Sequence, residues 1–409
     1  MNFERTEDGS RVVSRRNVTL LGAGAALAAL AGCTGDGSDN RDGESPVTEG
    51  DGGDDAAPSE DGVYEVCMEP ADCVQFEEPP NRFGVYHQSW VDIAISLGQA
   101  DRLVAAAFPG RFPVAYIDQL PGVEFDRDDM FALQEDGDAD IEVFYELDLD
   151  LHLIDPYSAE NYFAIDWSGV EELEQNVAPF LGSWIRRPQY TEDHPHYDLW
   201  EVYDIAAEVF QVQERGEAFR ELHGEMLEEI LAELPPIEER PTVGYLNFDD
   251  FDAASGVDVF NPSQPGTQTQ TLRDFDVPEH DAFAGIYPED DFRFTGDFEL
   301  MVEHDPEVII YHNGLDGIIR RDGRDWETDV IEPLENDPVA NEVTAIQTGR
   351  VYPWHEMEQG PIMNTFQTEA IAKSLYPDIF GEPTGMEAPP EDEQLFDRQR
   401  VADIITGDI

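Results

Sequence analysis

RGEAFRELHGEMLEEILAEL, residues 215–234, is the stretch whose reading decides the fold. Its apolar residues Ala218, Phe219, Leu222, Met226, Leu227, Ile230, Leu231 and Leu234 recur at the three-and-four spacing of one helical face. Pro235 and Pro236 follow at once and, lacking a backbone N–H, stop the helix. About 20 residues at 1.5 Å each make a rod of roughly 30 Å, the diameter of a small domain. Similar segments lie on either side. IEVFYELDLDLHLID (141–155) reads as a short helix followed by a strand, and FELMVEHDPEVIIYH (298–312) reads the same way. Each carries a glutamate seven residues ahead of an equivalent point, Glu142 before Leu149 and Glu299 before Pro306. The expected fold class is α/β: two Rossmann-like lobes joined by one long α-helix.

Charge is the dominant compositional feature. The 409 residues hold 91 Asp and Glu against 23 Lys and Arg, a net charge of -68, and Lys373 is the sole lysine. Such a chain repels itself in dilute buffer and needs dense counterions to stay compact. A hydrophobic content of 41% with 11% aromatics argues against disorder over most of its length. Acid excess spread through apolar-periodic segments looks like the surface of proteins from salt-accumulating, extremely halophilic organisms, so it describes the solvent more than the ligand. It excludes nucleic acid as a partner, because no basic stripe exists to neutralise phosphates.

The first 33 residues read as an address. SRRNVTL (14–20) is a twin-arginine pattern, and the apolar run 20–31, about 12 residues, is too short for the roughly 20 that span a bilayer. Leu30-Ala31-Gly32-Cys33 resembles a lipobox, which marks Cys33 for lipid attachment after cleavage. Residues 34–62 hold hardly an apolar side chain larger than alanine and read as a flexible acidic tether. An exported, lipid-anchored protein on the outer face of the cell membrane is the expectation. There, Cys67 and Cys73 are expected to form a disulfide; a metal site would need further ligands nearby.

RFGVYHQSWVDIAISLGQADRLVAAA (82–107) reads as strand, helix and strand, with a further strand at 114–118. In open α/β sheets ligands bind beyond the carboxyl ends of strands. The residues just past each expected strand are therefore the binding candidates. They are Tyr86, His87 and Trp90; Tyr157; Tyr245 and Phe248; Tyr311 and His312; and Trp354 and His355, joined by Trp184, Arg186 and Arg187 on the turn within PFLGSWIRR (179–187). Arg186 and Arg187 stand out in so acidic a chain and could grip an anionic ligand by bidentate hydrogen bonds, or pair with nearby acids. Arg320, Arg321 and Arg324 carry the same ambiguity, and His194-Pro195-His196 reads as incidental to metal binding.

SWVDIAISLG followed by QADRLVAAA (89–107) resembles the opening of the substrate-binding proteins of iron-siderophore and cobalamin ABC importers. Three further segments resemble that family in the right order: 142–154, with Leu149 where proline is usual; Asp305-Pro306-Glu307-Val308-Ile309-Ile310; and the pair TGRVY (348–352) and LYPDIF (375–380). The resemblance covers residues 80–385 and implies a class III periplasmic binding protein. Such a protein captures a ligand between its lobes and delivers it to a membrane permease and its ATPase. It implies that Glu142 and Glu299 dock on permease arginines, and that the chain is a monomer, performs no catalysis and carries no cofactor. An Fe(III)-siderophore suits the arginines and aromatics; cobalamin, haem and a bare metal ion on His87, His312 or His355 stay open.

The expected organisation is a signal (1–33), a tether (34–62), an N-terminal lobe (63–197), a helical region with the inter-lobe helix (198–239), a C-terminal lobe (240–385) and a loose acidic tail (386–409). The rival class, a lipid-anchored extracellular enzyme, finds no GxSxG, HExxH or P-loop motif in the sequence.

Overall fold

The computed structural model describes residues 62–134, 139–188, 194–248, 256–288, 292–354 and 358–409, together with the backbone of 10–13. The rest of the expected signal and tether, Cys33 and His355 lie outside the described residues. Ser10–Val13 (β1), Tyr64–Cys67 (β2) and Cys73–Phe76 (β3) form a small sheet of order β1-β3-β2. Cys67 and Cys73 face each other in its antiparallel pair and are joined by a disulfide.

Phe83–Val85 (β4), Leu103–Ala106 (β5), Phe131–Ala132 (β6) and Leu151–Leu153 (β7) make an all-parallel sheet of order β6-β5-β4-β7. Parallel strands covered on both faces read as near-continuous apolar runs, as β4 and β7 do. The strand expected at 114–118 is absent; that stretch is a turn leading into the short 3-10 helix Ile117–Gln119. Its Tyr116 ring packs beside Phe366, so the apolar run is buried without joining a sheet.

The second large sheet holds Val243–Phe248 (β8), Val257–Phe260 (β9), Arg293–Gly296 (β10), Val308–Tyr311 (β11) and Val351–Pro353 (β12), in the order β10-β9-β8-β11-β12. β8, β11 and β12 run parallel, while β9 and β10 add an antiparallel edge. The two sheets belong to two α/β lobes, and the helix Gln213–Ala232 carries the chain from one to the other. It buries Phe219, Leu222, Met226 and Ile230 together with Gly216 and His223. Ala218, Leu227, Leu231 and Leu234 are only half-buried, because the helix lies across the lobes with one side in water.

The main apolar core crosses the molecule. It takes Phe83 and Leu151 from the first lobe, Phe219 and Met226 from the connecting helix, and Tyr245 and Ile310 from the second lobe, with two smaller clusters under the outer helices. The helix Pro361–Leu375 sits in this core although it follows the last strand of the second lobe. Asp92, buried on the first-lobe helix Gln88–Ser96, accepts the backbone N–H groups of Gly360, Ile362 and Met363 at 3.1, 2.9 and 2.8 Å, supplying the cap that this helix end lacks locally.

The reading of 386–409 as a loose tail is overturned. Arg398–Thr406 is a helix, capped by Asp397, that buries Val401, Ala402, Ile404 and Ile405 against the core. Arg398 pairs with Glu369 inside the protein, with Phe366 and Phe396 against its guanidinium. An apolar stripe at helical spacing outweighs the acidity of the segment around it.

Candidate functional site

A cavity of about 540 Å³ opens between the lobes, lined by Arg186 and Arg187 from the first and by Asn247, Phe260, Phe292, Arg293, His312 and Asn313 from the second. The loop holding Arg186 and Arg187 follows β7 and is seated from below by Asp155. One Asp155 oxygen accepts the Trp184 N–H at 2.9 Å and stands 2.9 Å from His194 Nε2; the other accepts the Tyr157 N–H. On its far side the loop meets the second lobe backbone to backbone, where Thr267 N–H donates to Ile185 and Gln268 N–H to Arg186. Gly266 permits that approach, since a Cβ there would lie 2.3 Å from the Arg186 carbonyl oxygen and its φ of +112° suits glycine alone.

The second lobe supplies the other wall from strand ends. Side chains alternate along a strand, so Tyr245 and Asn247 of β8 share a face, and His312, just beyond β11, lies on the same side. Tyr245 Oη lies 2.6 Å from His312 Nδ1, and the imidazole stacks on Phe260 with centroids 4.0 Å apart. Burial, then Arg186, Arg187 and Arg293, drive the His312 pKa well below its ordinary value. Arg293 is held at 2.6 Å by Asp258, whose other oxygen accepts the Thr295 hydroxyl at 2.6 Å. Arg187 lies over the Phe292 ring, and burial together with Arg186 lowers its pKa to about 10, so it stays charged at neutral pH. The side-chain oxygens of Asn247 and Asn313 are buried and have no hydrogen-bond partner among the described residues. Asn313 sits at φ 60°, a left-handed position that asparagine tolerates better than most residues.

Three carboxylate-linked contacts tie the lobes behind the cavity. Glu358 approaches His87 Nδ1 at 2.9 Å and Arg186 Nη1 at 3.4 Å, and accepts the Gln88 N–H at 3.4 Å. Burial alone would raise the Glu358 carboxyl, but His87 and Arg186 beside it bring it down to about 2.

Of the residues read as binding candidates, Arg186, Arg187 and His312 line the cavity. Tyr245 stands behind the wall and holds His312. Tyr86, His87 and Trp184 form an aromatic cluster with Tyr162 beside the arginine loop, outside the cavity lining. Trp90 is a core residue whose Nε1–H donates to Ser183, and Trp354 is likewise buried in the core. Tyr157 packs on Trp167 and His194. Tyr311 and Phe248 point to the opposite face of the sheet, where Tyr311 Oη meets the Phe248 backbone and Phe248 stacks on Phe298. Position alone named these residues, and strand parity separates them. Phe260, Phe292, Arg293, Gln268 and Glu358 were not singled out. An arginine in the edge strand after an acidic run was a signal for Arg293, whereas Glu358 was one acid among 91.

Glu142 and Glu299 are both exposed in the first turns of matching helices, Ile141–Glu146 and Phe298–His304, capped by Asp140 and Asp297. Among the described residues the cluster with metal-ligand geometry is Glu65 with Cys67 and Cys73, and its cysteines are already bonded to each other. His196 does not join His194 in such a cluster; burial and then Arg273 lower its pKa to about 4.

The arrangement is that of a class III periplasmic binding protein: two α/β lobes, one connecting helix and a cavity at the strand ends. Solved structures share it. A periplasmic binding protein from Veillonella parvula aligns with a TM-score of 0.54 at 15% identity over 76% of this chain and 97% of its own. The petrobactin-binding protein of Bacillus subtilis gives 0.54 at 13% over 80% and 99%, and the periplasmic catecholate-siderophore binding protein of Vibrio cholerae 0.52 at 15% over 76% and 99%. No protein-family model matches the chain, and no curated protein matches it. At these identities the likeness is one of fold.

Proposed function

We propose that the chain is the solute-binding component of an ABC importer, capturing an anionic metal chelate of the Fe(III)-siderophore class between its lobes and handing it to a permease and ATPase. The observation that carries this reading is a cavity lined by three arginines and, among the described residues, by no carboxylate, in a chain whose net charge is -68. Concentrating guanidinium groups there costs mutual repulsion and desolvation, which an anion entering the cavity offsets. The volume of about 540 Å³ suits a small chelate, and Phe260 and Phe292 offer flat apolar walls to its rings. Two of the structural neighbours are named for siderophores. The same electrostatics weigh against a bare cation.

In this reading Glu142 and Glu299 face the permease, one from each lobe. Cys33 carries a lipid after twin-arginine export, and the protein works as a monomer in concentrated salt. It binds and releases its ligand unchanged and performs no catalysis. The test is thermal unfolding in multimolar KCl against ferric siderophores, cobalamin, haem and free metal ions, with tryptophan fluorescence read alongside. A ferric siderophore is expected to raise the midpoint, as any ligand bound to the native state alone must. A flat response to every chelate from folded protein would sink the proposal.

A further inference from the structure

Arg186 and His312 face one cavity from opposite lobes, and Gln268, fully buried, touches both. A guanidinium can only donate, so the 2.9 Å bond from Arg186 Nε obliges Gln268 to present its carbonyl oxygen to the arginine. The amide nitrogen is thereby turned the other way. It lies 3.5 Å from His312 Nδ1. An amide nitrogen can only donate, so the Nδ1 it faces is an acceptor, and Tyr245 directs its own proton at that same nitrogen, 2.6 Å away. Nδ1 therefore meets donors only and is the bare nitrogen of the ring. The imidazole is neutral, held so by burial and three arginines. Its single proton is left on Nε2, the nitrogen that these contacts leave for the cavity His312 lines.

We propose that Arg186, acting through Gln268 and Tyr245, locks His312 as an Nε2–H donor, so that the cavity refuses a bare metal cation and accepts only a ligand whose outer surface is anionic oxygen. This rests on the chelate reading and narrows it: the metal is wrapped by its own chelator and takes no bond from His312. An imidazole ligates a metal through an unprotonated nitrogen, and the one His312 possesses is occupied by Tyr245. Gln268 is the positioning residue, because its amide polarity transmits the obligatory donor character of Arg186 across the lobes.

Long-range 1H–15N correlation on the full chain labelled with 15N-histidine reads the tautomer directly, with His312 assigned by its loss in His312→Gln. The expected spectrum has Nε2 protonated and Nδ1 unprotonated at neutral pH. Added Zn(II) leaves this resonance in place, while the trianionic tris-catecholate complex of Ga(III), a diamagnetic stand-in for Fe(III), moves it. Gln268→Glu substitutes a carboxylate, which can only accept a hydrogen bond and so favours a proton on Nδ1. The ring then turns to the Nδ1–H tautomer and Zn(II) shifts it. Binding of the gallium complex weakens by on the order of tenfold, as when a buried polar group loses its partner. A wild-type proton on Nδ1, or a wild-type shift of His312 by Zn(II), overturns the proposal. Should Nε2 carry the proton and Zn(II) be refused while no anionic chelate binds, the lock stands and the importer reading falls.

Discussion

Glu358, from the segment before the helix Pro361–Leu375, lies 2.9 Å from Nδ1 of His87, which stands at the exit of β4 in the opposite lobe. The contact is a latch at the back of the cavity, and its second arm is Arg186, one of the residues lining that cavity.

Glu358→Gln should lower stability by about 2 kcal/mol at pH 7, the scale of a buried charge-assisted contact. In the folded protein its carboxyl lies near 2, below the 4.5 of an ordinary glutamate. The ionised form is thus favoured by folding. Its contribution is complete above about 4.5 and is lost as the pH falls toward 2. Urea midpoints of the two proteins should therefore converge on acidification; a gap that stays constant would show that the pairing is not ionic.

Asp92 predicts the opposite slope. Burial raises its carboxyl from 3.8 to about 7, outweighing the three amides that lower it. A raised acid costs stability as it ionises, so the penalty is absent below 3.8 and grows as the pH rises to 7. Asp92→Asn, whatever its constant offset, should gain on the wild type across that window. Losing ground instead would mean that the amide cradle holds the ionised form.

Arg187→Gln should weaken binding of the anionic chelate by roughly ten- to a hundredfold while the unfolding midpoint of the free protein changes little, as expected for one charge-assisted hydrogen bond to the ligand. Titration by tryptophan fluorescence measures it. Equal affinity in the two proteins would place the ligand elsewhere.

Ile404→Ala should cost about 2–4 kcal/mol, the range for emptying a buried aliphatic site. Chemical unfolding measures this, and a change near zero would restore the view of residues 386–409 as a dispensable tail.

Local periodicity made much of the fold legible. The connecting helix could be placed within two residues because Phe219, Leu222, Met226 and Ile230 keep helical spacing and two prolines end it. The matching helix–strand units containing Glu142 and Glu299 were visible for the same reason. The C-terminal helix was hidden because its acids were weighed before the spacing of Val401, Ile404 and Ile405. At the site, strand exits located His312 but placed Tyr311 beside it, although a one-residue step reverses the face. Arg293 and Glu358 acquire meaning only from partners distant in sequence, Asp258 for the one and His87 for the other.

The seat of Asp92 on the Pro361–Leu375 helix bears on how the chain comes to be folded. Asp92 and Ile362 are 270 residues apart, and every residue of Gln88–Ser96 is buried in the finished protein. During synthesis that helix emerges long before its partner exists, so its apolar side stays uncovered while the second lobe is being made. The first lobe therefore gains the full cover of this helix only once residues 360–363 have been made. Contacts of such long sequence separation slow folding in general, and a half-made chain that lacks them exposes apolar surface to aggregation.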